Sequence, residues 1–226
     1  MKNHLEKSEK YRKIVGVASK LMSEQGYKGA PLDQIAEIVG IHKSTLFHYF
    51  KNKEQLLMAV LEISTEEVIK DLEAIIRNKN LNLEEKLRRS IISHLESQLR
   101  YYSSVNVYHS EIRFLSGRNK QKFLKRREHY SLCFERLIEE IIKSNTKKFA
   151  HFRKLNSKIV AFGILGMCNW AAKWFKASGP LKPKDVADIF CSMLMQHRSE
   201  NRNRLDLIPD VNSGHETLSH AATCIA

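Results

Sequence analysis

The chain has 226 residues, of which 42% are hydrophobic, and this length and composition suit a soluble globular protein of one or two domains. The first thirteen residues, MKNHLEKSEKYRK, contain no apolar signal-peptide core, and no later run approaches the roughly 18 apolar residues of a membrane span, so we exclude a membrane protein and expect a cytoplasmic one. A net charge of +13 predicts a polyanionic partner, although charge alone does not distinguish nucleic acid from an anionic membrane or a phosphorylated ligand.

The spacing of apolar residues predicts an all-α fold. Such residues recur three and four positions apart along nearly the whole chain, no segment alternates as a strand would, and only four prolines occur. The first helix is predicted at residues 9–24, with Gly26 as its C-cap. Its buried stripe is formed by Ile14, Val15, Ala18, Leu21 and Met22.

Two short helices follow, joined by a glycine turn. Pro31 is expected at the first position of the second helix, which extends to Gly40 with the apolar residues Leu32, Ile35, Ala36 and Ile38. After the turn, a third helix of about seven residues presents Leu46 and Phe50 to the same core. Such a pair has the geometry of a helix-turn-helix motif, whose second helix enters the DNA major groove. The hydrophobic pattern alone fits an ordinary helical hairpin equally well.

The sequence ASKLMSEQGYKGAPLDQIAEIVGIHKSTLFHYFKNKEQLL, residues 18–57, favours the first of these interpretations. Its distinctive features are a Gly-Tyr pair after the first helix, Ile-Ala in the second, Thr-Leu-aromatic-His-Tyr-Phe in the third, and Lys-x-Lys-Glu at the start of the fourth. The stretch from Ile14 to Leu57, with this sequence at its centre, closely resembles the DNA-binding domain of the TetR family of bacterial transcriptional regulators, without a gap. The resemblance implies that residues 1–52 form a helix-turn-helix domain that binds double-stranded DNA.

The resemblance also implies roles for the polar residues around the third helix. The residues at the start of this recognition helix, whose side chains and free N–H groups reach base edges or a phosphate, are Lys43, Ser44 and Thr45. His48 and Tyr49 match the pair that contacts the DNA backbone or the bases. Lys53 matches the lysine that binds a phosphate at the start of the fourth helix. Without the surrounding motif, Lys53 would be an ordinary solvated charge.

Three sites differ from the family pattern, and one of them is His42, which occupies the usual Ser or Thr N-cap position of the third helix. Phe47 stands where the family usually has a tyrosine, so it offers stacking or a contact with a thymine methyl group but no hydroxyl. The pair Ala30-Pro31 replaces the usual Ser or Thr cap of the second helix. Lys28 and Gln34 are the residues expected to compensate by contacting DNA. These differences affect affinity and operator sequence rather than DNA binding itself.

The chain from residue 53 onward is too long and too apolar to be a linker. A fourth helix is predicted to begin after the N-cap Asn52, with Gln55 as capping partner, and to end near residue 76. Asn82 and Glu85 form a similar pair before a fifth helix that ends near residue 102. Further helices are predicted at residues 107–115, 120–144, 156–177 and 183–197. Residues 53–198 therefore form a second domain, and residues 199–226 are interpreted as a flexible polar tail.

Residues 117–154 carry much of the positive charge, with twelve lysines or arginines against four acids. One interpretation is a solvated helix face followed by a basic loop. The other is the rim of a pocket for a phosphate-bearing ligand, where charge-assisted hydrogen bonds are strong. The residues of that rim would be Arg118, Lys122, Arg126 and Arg127.

The sequence IVAFGILGMCNWAAKWFKASGPLKPKDVADIF, residues 159–190, contains an Asn-Trp pair followed by a second tryptophan and a Gly-Pro-Leu turn. In these features it resembles the C-terminal domain of TetR-type regulators of fatty-acid or other acyl-CoA catabolism. The resemblance implies an apolar cavity for an acyl chain, with Arg126 and Arg127 near the CoA phosphate. Its lining is drawn from Phe162, Met167, Trp170 and Trp174. Packing of these residues in a core or a dimer interface is the alternative.

The TetR resemblance further implies a homodimer in which the last two long helices of each subunit form a four-helix bundle. Two-fold symmetry then places the two recognition helices opposite the halves of a palindromic operator. We predict a transcriptional repressor that a small-molecule ligand releases from DNA. The alternative is a DNA-bound adaptor that acts through a protein partner, as a nucleoid-occlusion division inhibitor does.

The residues with catalytic or metal-binding chemistry do not form a recognised site in the sequence. No nucleophile–base pair or phosphate-binding glycine loop has a credible setting, so we expect no enzymatic activity and no cofactor. The cysteines, which lack metal-binding spacing, are expected to be reduced core or tail residues, with oxidant sensing as the alternative; they are Cys133, Cys168, Cys191 and Cys224. His215 and His220 also match no dependable ligand spacing, and no metal site is predicted.

Overall fold

The computed structural model describes residues 2–144, 146–176 and 178–195, with side chains from residue 9 onward. All regular secondary structure within these ranges is helical, which confirms the all-α prediction. The α-helices of this part of the chain are α1 (Lys2–Gly29), α2 (Leu32–Val39), α3 (Lys43–Tyr49), α4 (Lys53–Arg77), α5 (Leu83–Arg100), α6 (Tyr102–Glu111), α7 (Gly117–Lys143), α8 (Ser157–Trp174) and α9 (Pro183–Leu194). Short 3-10 helices occupy Ile112–Phe114 and Lys147–Lys154. The predicted tail at 199–226 lies outside the described residues.

Two glycines shape the N-terminal helices as the sequence predicts. Gly26 interrupts α1 with a φ of 73°, and Gly40 ends α2 with a φ of 79°, a left-handed conformation in which glycine meets no Cβ penalty. Two details differ from the prediction. Pro31 is the N-cap of α2 rather than its first helical residue. Ile38 is 52% exposed, whereas Val39 is buried, because one residue along a helix changes the direction of a side chain by roughly 100°.

Asparagine caps set the starts of the two long helices that follow. Asn52 Oδ1 accepts from the backbone N–H of Gln55 at 2.9 Å, and Asn82 Oδ1 accepts from that of Glu85 at 2.9 Å. The Gln55 side chain in turn accepts from the backbone N–H of Lys51 at 2.9 Å, one residue before the predicted partner Asn52. The predicted start of α4, and with it the position of Lys53, is therefore correct.

The first hydrophobic core joins α1, α2 and α3 to the first half of α4, to α6 and to the start of α7. Ile14, Ile35 and Leu46 are fully buried at its centre. Leu57 and Leu61 of α4 belong to the same core. The core therefore continues across residue 53, where we placed a domain boundary from the sequence.

The second core is a helical bundle of α4, α5, α7, α8 and α9. Phe134, Leu137 and Ile138 of α7 are fully buried in it, together with Ile164 and Cys168 of α8. Arg88 of α5 and Asp188 of α9 form an ion pair at 2.5 Å on its edge. Four of these helices, α4, α5, α7 and α8, line the cavity described below together with α6.

Candidate DNA-binding surface and ligand cavity

The third helix presents its polar residues to solvent. Leu46 is fully buried, and this contact fixes the rotation of α3 on the first core. Lys43, Ser44 and His48 are consequently exposed, and Phe47 is 43% exposed. The half-buried residues of the same group are Thr45 and Tyr49. All six residues that the sequence predicts on this helix thus share one short element, and their individual contacts with DNA stay predictions.

Asp33 forms an ion pair with Lys43, the first residue of the recognition helix. Lys43 Nζ lies 2.8 Å from Asp33 Oδ2 at the start of α2, and both side chains are largely exposed. The sequence does not predict this pair, since the two residues are ten positions apart on different helices. A phosphate or base that binds Lys43 must compete with this carboxylate.

Two stacked aromatic rings, Tyr27 and Phe114, lie beside the side chains of Lys53 and Lys28. Lys53 Nζ lies 4.9 Å from the centroid of the Tyr27 ring and donates to the carbonyl oxygen of Lys28 at 3.3 Å. Partial burial lowers the pKa of Lys53. Tyr27 stacks on Phe114, and Lys28 Nζ lies 5.7 Å from the Phe114 ring. Gln34, the remaining predicted DNA contact, is half-buried on α2.

Replacing Lys53 with alanine is expected to weaken binding to all duplex sequences about equally, because the contact predicted for Lys53 is with a phosphate and not with a base. The slope of log affinity against log salt should fall by about one. Fluorescence anisotropy with specific and unrelated duplexes over a salt series measures both quantities. Lys79→Ala, an exposed lysine in the α4–α5 loop, is the matched control. Equal slopes in the wild type and Lys53→Ala would remove Lys53 from the DNA contacts.

A cavity of about 330 Å³ lies between α4, α5, α6, α7 and α8. The apolar residues of its lining are Val68, Val105, Phe123, Phe162 and Leu165. The other lining residues are Ser64, Thr65, His94, Ser97, Gln98, Tyr108, His109, Arg127, Tyr130, Ser131, Gly166 and Asn169. The lining therefore combines space for an apolar group with many hydrogen-bonding side chains.

A buried hydrogen-bond network forms the polar end of the cavity. His94 Nδ1 lies 2.7 Å from the Tyr130 hydroxyl, and His94 Nε2 lies 3.1 Å from Asn169 Oδ1. Gln98 Nε2 lies 2.8 Å from the same His94 nitrogen and 3.3 Å from Asn169 Oδ1. Burial lowers the pKa of His94 to about 4, so the imidazole is neutral at physiological pH. The network presents neutral donors and acceptors to a ligand.

The predicted ligand-binding residues separate into two groups. Phe162 and Arg127 line the cavity, whereas within the described structure Arg126, Met167, Trp170 and Trp174 are not among its lining residues. Trp170 is 67% exposed and Trp174 is 46% exposed, so both tryptophans face outward from the bundle. In the Asn-Trp pair that the sequence analysis selected, Asn169 faces the cavity and Trp170 does not.

Arg126 forms ion pairs with carboxylates of α4 and is not in the described cavity lining, whereas Arg127 is. Arg126 Nη1 lies 2.8 Å from Glu62 Oε1 and 2.5 Å from Glu66 Oε1. Lys122, one turn earlier, also pairs with Glu62, at 3.0 Å. Arg127 instead donates to the Tyr108 hydroxyl at 3.4 Å, at the mouth of the cavity. The polar residues of α5 were missed from the sequence, although His94 and Gln98, four positions apart on an otherwise apolar face, were a usable signal.

Several contacts join the DNA-binding helices to the helices around the cavity. The Glu54 carboxylate accepts from the backbone N–H of Ser116 at 2.9 Å, and this hydrogen bond lowers the pKa of Glu54. The backbone N–H of Tyr27 donates to Glu111 Oε2 at 3.0 Å. Phe123 of α7 is 1% exposed, lines the cavity and belongs to the first core. The cavity lining and the recognition helix therefore share the first hydrophobic core, through Phe123 and Leu46.

Comparison with protein families agrees with this architecture. A family model described as "Bacterial regulatory proteins, tetR family" matches residues 14–60. A second one, "Tetracyclin repressor-like, C-terminal domain", matches residues 80–197, more than half of the chain. The chain belongs to the TetR family. It is thus a transcriptional regulator with a helix-turn-helix DNA-binding domain, in a family whose members are generally not enzymes.

Among curated TetR-family relatives, the HTH-type transcriptional repressor KstR2 of Rhodococcus jostii is 21% identical over 198 residues, which cover 87% of this chain and 95% of the relative. The fatty acid metabolism regulator protein of Bacillus subtilis is 27% identical over 143 residues, which cover 63% of this chain and 73% of the relative.

Solved structures show the same fold. PfmR from Thermus thermophilus superposes with a TM-score of 0.72 at 22% identity, covering 82% of this chain and 99% of that one. AibR in complex with isovaleryl coenzyme A and operator DNA superposes with a TM-score of 0.70 at 27% identity, covering 82% of this chain and 97% of AibR. In the part of the TetR-family chain described here, no helix has the length and apolar character needed to cross a bilayer.

Proposed function

We propose that this protein is a repressor that binds a palindromic operator as a homodimer and leaves it when an acyl-CoA or a similar acyl ligand enters the cavity. The observation that carries the proposal is a mixed apolar and polar cavity with Arg127 at its mouth. The ligand acts by favouring one arrangement of the cavity helices, which reach the recognition helix through α4 and Phe123. A coupling of about 1–3 kcal/mol, typical of allosteric proteins, is sufficient for such a switch.

The volume of the cavity favours a short or medium acyl group. At about 330 Å³ the cavity is near the lower limit of ligand pockets, which span roughly 300 to 1,000 Å³. Phe162 and Leu165 offer apolar contacts, and the polar network at Asn169 offers partners for a carbonyl oxygen. The complex of AibR with isovaleryl coenzyme A, a short branched acyl ester, supports this ligand class.

The adjacent residues Arg126 and Arg127 allow a test of the proposed contact with a CoA phosphate. Among the described residues Arg127 has no carboxylate partner, whereas Arg126 pairs with Glu62 and Glu66. Arg127→Gln is expected to weaken binding of the CoA ester by about 10-fold, since a charge-assisted hydrogen bond to a phosphate contributes about 1.5 kcal/mol. Arg126→Gln is the matched control and should change the affinity little. Isothermal calorimetry measures both, and equal losses would mean that Arg127 does not contact the ligand.

The homodimer is supported by an apolar surface on α8 and α9. Its exposed side chains are Ile159 (73%), Phe162 (51%), Trp170 (67%), Trp174 (46%) and Met193 (69%). Exposed apolar groups of this size are costly in a monomer and are typical of protein interfaces. In this proposal the two exposed tryptophans, Trp170 and Trp174, belong to the dimer contact, which is the alternative to an acyl-chain lining. Analytical ultracentrifugation of the wild type and of a Trp170→Glu variant tests the contact, and an unchanged dimer would contradict it.

The decisive experiment is release of bound operator by a series of acyl-CoA esters of increasing chain length, with free CoA and the free acids as comparisons. We expect binding to strengthen by roughly 0.8 kcal/mol per methylene until the cavity is full and then to stop. Free CoA should bind far more weakly. Calorimetry is the appropriate readout because the tryptophans lie outside the cavity lining. Tight binding without operator release would contradict the proposal, and capture of a protein partner only in the presence of operator would favour the adaptor.

A further inference from the structure

Three side chains with metal-binding chemistry meet between α4 and α7, outside the cavity and the DNA-binding surface. Glu73 lies on α4, and His129 and Cys133 lie on α7. His129 Nε2 is 2.8 Å from Glu73 Oε1 and 3.7 Å from Cys133 Sγ. One ligand atom from each residue lies within 4.8 Å of the other two. A carboxylate, an imidazole and a thiol therefore point to one small volume.

The fold holds these groups in place independently of a ligand. His129 and Cys133 are four residues apart, so they share one face of α7. Arg77 Nη2 binds Glu73 Oε2 at 2.7 Å, which leaves Oε1 directed at His129. Cys133 is 7% exposed, whereas His129 is exposed, so the thiol forms the inner side of the group and solvent reaches the outer side.

Two of the three distances between ligand atoms are close to those around a tetrahedral ion, and the third, between Glu73 and Cys133, is at most 4.8 Å. Zinc bonds of about 2.3 Å to sulfur and about 2.0 to 2.1 Å to nitrogen or oxygen place ligand atoms roughly 3.3 to 3.6 Å apart. The distance of 3.7 Å between His129 and Cys133 is close to this range. The 2.8 Å contact between Glu73 and His129 must lengthen by about 0.5 Å, a small change for a carboxylate side chain.

We propose that Glu73, His129 and Cys133 form a site for a divalent transition-metal ion, Zn²⁺ in particular, with a fourth position open to water. The thiol of Cys133 loses its proton to solvent as the sulfur–metal bond forms, and the neutral imidazole of His129 donates its Nε2 lone pair. The carboxylate and the thiolate together balance the two positive charges of the ion. A bound ion joins α4 to α7, the helices that flank the cavity, by a contact stronger than the present hydrogen bond.

The test uses the full chain, stripped of metal with a chelator, and titration with Zn²⁺ and with Co²⁺ as a spectroscopic substitute. We expect one ion per chain, and for Co²⁺ a thiolate charge-transfer band together with the intense visible absorption of tetrahedral coordination. Cys133→Ser should remove the charge-transfer band. His129→Gln and Glu73→Gln should each weaken Zn²⁺ binding roughly 10-fold or more.

Two controls isolate the site. Cys168→Ser changes a buried thiol of α8 and should leave metal binding unchanged. A variant with alanine at His215, His220 and Cys224 should also bind normally, and loss of binding there would place the metal in the C-terminal segment instead. Circular dichroism checks folding, and if Cys133→Ser is unfolded, the two variants at the less buried His129 and Glu73 decide. Absence of stoichiometric binding, or wild-type affinity in those variants, would leave Glu73 and His129 as a simple ion pair and overturn the proposal.

Discussion

Gly166→Phe is expected to abolish the response to ligand, because the new ring occupies space that the ligand needs. Gly166 lines the cavity, and a Cβ built there meets no described atom within 4 Å beyond its own helical turn and chain neighbours. The aromatic ring therefore enters open space rather than a packed core. If it displaces about four methylenes of an acyl chain, the lost burial of about 3 kcal/mol weakens ligand binding on the order of 100-fold.

Gly166→Ala is the matched control for this substitution. A single methyl group leaves most of the cavity open and favours the helix by up to about 1 kcal/mol, so ligand affinity should stay within about three-fold of the wild type. Calorimetry measures ligand binding, and fluorescence anisotropy measures operator affinity in the absence of ligand. Normal ligand affinity in a folded Gly166→Phe protein would show that the ligand binds elsewhere.

Phe123→Leu is expected to separate ligand binding from operator release. Phe123 contacts the cavity with one side and the first core with the other, where it packs in the same cluster as Leu57 and Leu61. A smaller, more flexible side chain at this position transmits less of a displacement of α7 to α4. Ligand affinity should change only a few-fold, whereas the effect of ligand on operator affinity should fall from the typical range of about 5- to 150-fold to about two-fold.

Phe134→Leu provides the comparison for Phe123→Leu. Phe134 lies on the same helix and is fully buried, but it belongs to the second core and not to the described cavity lining. Both variants should lose a similar amount of stability, about 1 kcal/mol by thermal unfolding. Only Phe123→Leu should lose coupling. Equal loss of coupling in both variants would mean that general loosening of the bundle, and not the Phe123 contact, changes the response.

The reciprocity of linkage gives both experiments an internal check. The factor by which bound ligand lowers the affinity for operator must equal the factor by which bound operator lowers the affinity for ligand. Ligand titrations of the wild type should therefore be repeated with operator present. In Phe123→Leu the two titrations should nearly coincide, whereas in Phe134→Leu they should differ as in the wild type.

The sequence alone determined those features that depend on neighbouring residues. Gly26 and Gly40 adopt positive φ at the predicted positions because only glycine enters that conformation without strain. Asn52 and Asn82 cap helices because the hydrogen bond spans three residues, a distance that the sequence shows directly. The helix-turn-helix and the all-α fold follow from such local signals, and the family resemblance of residues 14–57 was confirmed by comparison.

Only the tertiary structure decided which side of each helix another helix covers. Periodicity places Asn169 and Trp170 on neighbouring sides of α8 but does not show that the first meets His94 and the second meets solvent. It also does not show that Glu62 and Glu66 of α4 lie opposite Arg126 and leave Arg127 without a carboxylate partner among the described residues. These choices depend on contacts between residues that are 60 or more positions apart along the chain. A helical repeat carries no information about them, since it specifies the faces of one helix and not the neighbours that pack against those faces.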